Sequence, residues 1–315
     1  MTKTCLVLHH IGVRDKEILD FYKLALCHMI RRNVSTGHWR CCAVVTYNEE
    51  DLQDAALSLE MVELISFRAI KVPNAGTDIA PFLEILLRHV EVWGKADLIL
   101  KSHTKTKLEW GYRLLGALFD WSFLDKILVD KSMMCGLKCY VLPFESGLTE
   151  TTAMQHQSFF EEDMRLMRVG GDATFVAGTI FAARASFLKR VVDSKLLRCL
   201  LLASLRFLHQ SERGYVSDCA GTRFTVTHSL ERVLGLLVSL LGGVIAELPE
   251  RVWDLYGCEA LGMRTWRGVW EEYEKVYVEK SDLVSSVPEF FVRRGFTLGH
   301  RLNSEAAFSQ TSLFA

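Results

Sequence analysis

Four short segments of the chain bring together residue types that can do chemistry. In PNAGTDIAPF, residues 73–82, Asn74, Gly76, Thr77 and Asp78 lie between a strand-like run and the start of an apolar helix. Free backbone N–H groups and the helix dipole favour an anion at such a place, so a diphosphate or a nucleotide ribose suits it. An ordinary turn with Asp78 as helix cap is the competing reading. In LILKSHTKT, residues 98–106, an apolar run delivers Lys101, His103, Thr104 and Lys105 to one strand end. Two cations and an imidazole there can neutralise a phosphate-rich ligand; the alternative is a solvated basic turn. In FVAGTIFAARASFL, residues 175–188, Gly178 and Thr179 interrupt a strand, a pattern that marks close approach of a ligand or of another backbone. In THSLERVLG, residues 227–235, His228, Glu231 and Arg232 open a helix. Glu231 is either a general base or a first-turn acid that stabilises the helix dipole.

The elements that must position these residues alternate in type. Residues 4–11, 41–47, 64–71 and 97–102 read as strands, with a further strand at 175–183, all expected in one mainly parallel sheet. Between the first two, Ile18, Phe21, Tyr22, Ala25, Leu26 and Met29 recur at helical spacing behind a capping Asp15. A helix over 73–89 follows the third strand, and helices are expected at 196–209 and 228–247. Strands separated by helices of this length imply parallel crossovers, with ligand chemistry at the strand ends. CGLKCYVLPF, residues 135–144, reads as one more strand, and the polar stretch 146–172 as a surface insertion or acceptor loop. The expected division is a domain over 1–248 and a tryptophan-rich helical extension over 249–315 ending in a loose tail.

Composition excludes several classes. The 315 residues are 50% hydrophobic and 24% charged, which suits a globular core and argues against disorder or fibrous repeats. A net charge of -1 gives no global field for a polyanion, so nucleic acid is not expected as a partner. The nine cysteines have neither paired framework nor CxxC spacing, so reduced thiols and a cytoplasmic setting are expected. The most apolar stretch, Val233 to Ala246, is too short for a membrane span. GxGxxG, GxxxxGK[ST], GxSxG and HExxH are all absent, which removes the signatures of dinucleotide oxidoreductases, P-loop enzymes, α/β-hydrolases and zincins.

In order, spacing and wording, the four segments resemble the rhamnan synthesis protein F family of polysaccharide-assembly glycosyltransferases. That family carries N-x-G-x-D-I-x-P/A-F, K-x-H-T-K, F-x-A-G-T-x-F-x-A-R and H-x-x-E-R, matched here by NAGTDIAPF, KSHTK, FVAGTIFAAR and HSLER. The VLHH opening and the VVTYNEED strand end also look like the family's start, and the resemblance covers about residues 4–245. It implies a GT-A-like α/β fold and transfer of a sugar, rhamnose by the family name, from a nucleotide-diphospho-sugar donor to a glycan acceptor. Donor contacts would fall on Asn74, Gly76, Thr77, Asp78, Lys101, Thr104 and Lys105. Acceptor or sugar contacts would fall on Ala177, Gly178, Thr179, His228 and Arg232. Glu231 would be the catalytic carboxylate with Asp218 in reserve, while His103 and the lysines meet the departing diphosphate. Many GT-A enzymes place an Asp-x-Asp pair with Mn²⁺ or Mg²⁺ at the strand tip where Lys101-Ser102-His103-Thr104-Lys105 stands here. Ammonium cannot coordinate a hard cation, so the expectation is transfer without a cofactor or metal. A catalytically inactive binding or scaffold relative is the runner-up, and a nucleotidyl- or phosphotransferase the third reading.

Overall fold

The computed structural model describes residues 2–73, 78–105, 108–128, 131–143, 173–210, 215–217 and 223–249 of the chain. The expected insertion at 146–172 and the extension beyond residue 249 lie outside these.

Seven strands form the central sheet: β1 (Lys3–Ile11), β2 (Trp39–Tyr47), β3 (Leu64–Lys71), β4 (Leu98–His103), β5 (Ser132–Leu137), β8 (Phe181–Arg184) and β11 (Val244–Leu248). Their order is β11-β5-β8-β4-β1-β2-β3, while β9 (Tyr215–Ser217) and β10 (Arg223–Thr225) pair antiparallel in a ribbon of their own. Only β8 runs antiparallel to its neighbours, so the sheet is mainly parallel with helices on its faces, as the sequence predicts. β1 shows why: eight of its nine residues are Thr, Cys, Leu, Val, His or Ile, and its last seven positions are buried. A strand covered on both faces reads as a continuous apolar run rather than an alternating one.

Strand alternation divides the core in two. Cys5, Val7, Val45 and Leu100 face the helix Lys16–Val34, while Leu6, Leu8, Val44 and Ile99 face the helix Ile79–Arg88. The first helix starts as its sequence requires: the Asp15 carboxylate accepts from the N–H groups of Glu17 and Ile18.

Three expected elements differ. The strand predicted over 175–183 is two strands: β7 (Thr174–Val176) pairs antiparallel with β6 (Val141–Pro143) in a separate ribbon, and the chain turns at 177–180 before entering the main sheet as β8. The turn exists because Gly178 and Thr179 both adopt positive φ, 80° and 52°. The strand predicted over 135–144 likewise divides into β5 and β6 around a short 3-10 turn at Lys138–Tyr140. The helix predicted over 228–247 spans Val226–Leu240 instead and hands over to β11. Gly242, at φ 72°, stops it in the left-handed conformation that closes helices, with the Gly243 N–H donating to the Val238 carbonyl.

Candidate functional site

Strand order alone locates the site. β1, β2 and β3 march outward in one direction, and the chain then crosses to the other side of β1 as β4. Crevices for ligands open at the carboxyl ends of the strands where the order reverses, which here is the tip of β1 and β4. The register sets His10 opposite both Thr46 and His103, so the three parallel strands end level. Because β8 is antiparallel and pairs Phe181 with Lys101, the turn before it returns Thr179 to the same tip. Asp78 arrives at the head of the helix Ile79–Arg88.

These residues touch. The Lys101 ammonium, on a side chain 2% exposed, donates to Asp78 Oδ2 and, at 2.8 Å, to Thr179 Oγ1. The Thr179 hydroxyl also donates to Asp78 Oδ2, and His103 Nδ1 lies 3.1 Å from both that oxygen and the lysine nitrogen. Burial opposes the Asp78 charge, but His103, Lys101 and Lys105 outweigh it and hold the carboxyl well below the usual carboxylate range. Burial drives His103 well below its ordinary value against the pull of Asp78, with Lys105 and Lys101 adding to it, so it is a neutral imidazole.

A second, looser pair borders this network. Burial and the Asp78 charge raise Glu231 to about 7, against the pull of Lys105, Arg232 and Lys101. Burial lowers Lys105 to about 8, with Lys101 acting the same way and Asp78 and Glu231 against it. A carboxyl and an amine both poised near neutrality beside a fixed anion are equipped for proton transfer and for meeting developing negative charge.

The geometry decides between the sequence alternatives. Asp78 occupies the cap position but makes no side-chain cap bond; its carboxylate is turned to Lys101 and Thr179. The basic tip is not a solvated turn, since Lys101, His103 and Thr104 are buried. Glu231 is not a first-turn acid, because the helix begins at Val226 and carries no acid in its first turn. Thr104 is engaged by the backbone: its hydroxyl accepts the Gly12 N–H at 2.9 Å, and its own N–H reaches the His10 carbonyl. Ala177 is buried and its N–H bonds the Tyr140 carbonyl at 2.8 Å, a structural position behind the Gly178–Thr179 turn. Arg232 is buried with its guanidinium 4.6 Å above the Phe175 ring, facing the β7 ribbon. Asn74, Gly76, Thr77 and Asp218 lie outside the described residues, as does the side chain of His228.

Two site neighbours were not singled out by type or spacing. His10 Nδ1 lies 3.1 Å from Thr46 Oγ1, both residues buried at the tips of β1 and β2. Burial takes His10 down to about 4, with Lys101 adding and Asp78 opposing, so it too is neutral. The available signal was position, a polar residue at the end of an apolar strand, in the same way as Lys101 and His103.

Among the described residues, no group of three or more His, Cys, Asp or Glu side chains is placed to hold a metal ion. The acid at the β4 tip, Asp78, is already bonded to an ammonium and a hydroxyl, so the oxygen-rich shell that Mg²⁺ or Mn²⁺ requires does not fit there. No described helix is long and apolar enough to cross a membrane.

No family model matches the chain, and no curated protein matches it. Among solved structures, the chain is similar to the S. cerevisiae mannosyltransferase Ktr4p in complex with GDP, at 10% identity and a TM-score of 0.37 over 73% of this chain and 66% of that one. It is also similar to mouse xyloside xylosyltransferase 1 (10% identity, TM-score 0.39, 78% and 85% covered). A galactosyltransferase, LgtC, with donor and acceptor sugar analogs is comparable (10%, TM-score 0.40, 77% and 73%).

Proposed function

We propose that this chain is a GT-A-like glycosyltransferase of the rhamnan synthesis protein F type, moving a sugar from a nucleotide-diphospho-sugar to a glycan acceptor without a metal ion. The observation that supports it best is the convergence of Asp78, Lys101, His103 and Thr179, from three of the four motif segments, at the switch point of a parallel sheet, within electrostatic reach of Glu231 from the fourth. Rhamnose as the sugar rests on the family resemblance. Cytoplasmic action is part of the same reading, supported by the seven described cysteines, none of which is in a disulfide.

The reaction needs few parts. The Glu231 carboxylate takes the acceptor hydroxyl proton as its oxygen bonds to the anomeric carbon. The bond from that carbon to the phosphate oxygen breaks, and the nucleoside diphosphate leaves with the electron pair. Lys105 meets that charge. Lys101, bonded to Asp78 and Thr179, acts at one remove by holding Asp78 ionised and oriented toward donor hydroxyl groups.

The runner-up is a GT-A-like binding protein without activity, and what favours it is that Lys101 and Thr179 both bond to Asp78. Thermal unfolding against a panel of nucleotide-diphospho-sugars, nucleoside diphosphates and nucleoside triphosphates tests the ligand class. A ligand present at about 100 times its dissociation constant stabilises by roughly 2.7 kcal/mol. The proposal expects a diphospho-sugar to give the largest shift. A triphosphate shift as large or larger would favour nucleotidyl or phosphoryl transfer, and no shift from any of them would contradict the site.

A further inference from the structure

We propose that Tyr22 is a positioning residue: its hydroxyl, reaching through from the opposite face of the sheet, holds Lys105 where it meets the diphosphate of the donor. The inference rests on the reading of Lys105 given above. Tyr22 belongs to the helix Lys16–Val34 and is 1% exposed, packed edge-on against Phe21 and 5.2 Å from the His9 ring. His9 lies on the face of β1 away from His10, Lys101 and His103, so Tyr22 approaches the strand tip from behind. A tyrosine hydroxyl in such a core needs a polar partner. Its partner is the Lys105 N–H, 2.9 Å away and 83 residues distant in sequence.

That bond completes a three-point anchor. The Thr104 N–H donates to the His10 carbonyl at 2.9 Å, the Thr104 hydroxyl accepts from Gly12, and the Lys105 N–H donates to Tyr22. The helix Leu108–Ala117 then closes over the hydroxyl: a Cβ at Gly111 would stand 2.3 Å from the Tyr22 oxygen. Backbone beyond the end of β4 is thus fixed from both faces, and the direction in which the Lys105 side chain leaves follows. The titratable groups around Lys105 come from three elements: Asp78 ahead of the helix Ile79–Arg88, Lys101 and His103 on β4, and Glu231 on the helix Val226–Leu240. Loss of the anchor lets the amine leave this setting for water.

The test is Y22F, which removes one oxygen and keeps the ring, with GDP and UDP as probes. Expected are an unchanged far-ultraviolet circular dichroism spectrum, binding of the preferred diphosphate weakened roughly three- to tenfold, the range of one lost hydrogen bond, and a Lys105 amine titration, read by NMR, moved up toward that of ordinary lysine. Unchanged affinity with an unchanged Lys105 titration would overturn the proposal. If the wild-type chain binds neither diphosphate, the ligand reading fails, while the Lys105 titration in Y22F still decides the anchor. If Y22F does not fold, amide exchange in the wild-type chain decides: a protected Lys105 N–H supports the anchor and a freely exchanging one contradicts it.

Discussion

A carboxylate that accepts from Lys101 and Thr179 and lies 3.1 Å from His103 is expensive to isolate and cheap to disrupt in only one way. Taking Asp78 and Lys101 out of water costs more than a surface pair would return, so the pair is no stability device. Removing one partner is a different matter, because the other stays buried and charged. Asp78→Asn should lower the unfolding free energy by about 3–5 kcal/mol, measured by urea denaturation, and Asp78→Asn combined with Lys101→Met should restore much of that. A loss below about 1 kcal/mol would mean that Lys101 relaxes to solvent and that the network is loose. Thr179 makes the same point through its backbone. A β-branched residue at φ 52° is an outlier that persists where its surroundings over-determine it, and its hydroxyl bonds to Lys101 and Asp78 do that.

At the scale of elements, the helix Val226–Leu240 decides where Glu231 stands, and Gly235 decides where the helix stands. A Cβ at Gly235 would come within 2.1 Å of the Thr174 carbonyl oxygen and 2.7 Å of Phe175 Cα, so the helix lies directly on β7. The β7 strand leads into the Gly178–Thr179 turn, so this contact couples the proposed base to the Thr179 corner. Gly235→Ala should destabilise by about 1–3 kcal/mol, the usual cost of overpacking, and should lower kcat more than it raises donor KM. Equal activity with an unchanged midpoint would show that the helix is not seated this way. Elements of this kind divide sharply in how well the sequence announces them. The apolar runs within β1, β2 and β4 mark strands covered on both faces, and the Asp15 cap marks its helix; both signals are local. The turn at 177–180 inside an apolar run and the conversion of Val244–Leu248 to a strand depend on pairing with β6 and β5, partners that no local pattern names. The site divides likewise. Lys101, His103 and Asp78 were legible as polar residues at strand and helix ends, whereas the Lys101–Asp78 pairing, His10 with Thr46, and Tyr22 with Lys105 follow only from register and packing.

For the molecule as a whole, the switch point gathers an ionised carboxylate, two neutral imidazoles, two ammonium groups and a protonatable acid into one chemical unit. Glu231 and Lys105 fix its pH dependence. Glu231, raised from its ordinary value to about 7, is a base only above that pH, so the rate should rise as pH passes through about 7. Lys105, lowered to about 8, loses its charge above that, so the rate should fall again; the two apparent values belong to the interacting pair. The most direct measurement is hydrolysis of the preferred nucleotide-diphospho-sugar without acceptor, in EDTA, for the wild-type chain and Glu231→Gln. Slow hydrolysis is expected that survives the chelator, peaks between about pH 7 and 8, and falls by about 10²–10⁴-fold in the variant. Equal hydrolysis in Glu231→Gln, or complete loss in EDTA restored by Mn²⁺, would contradict it.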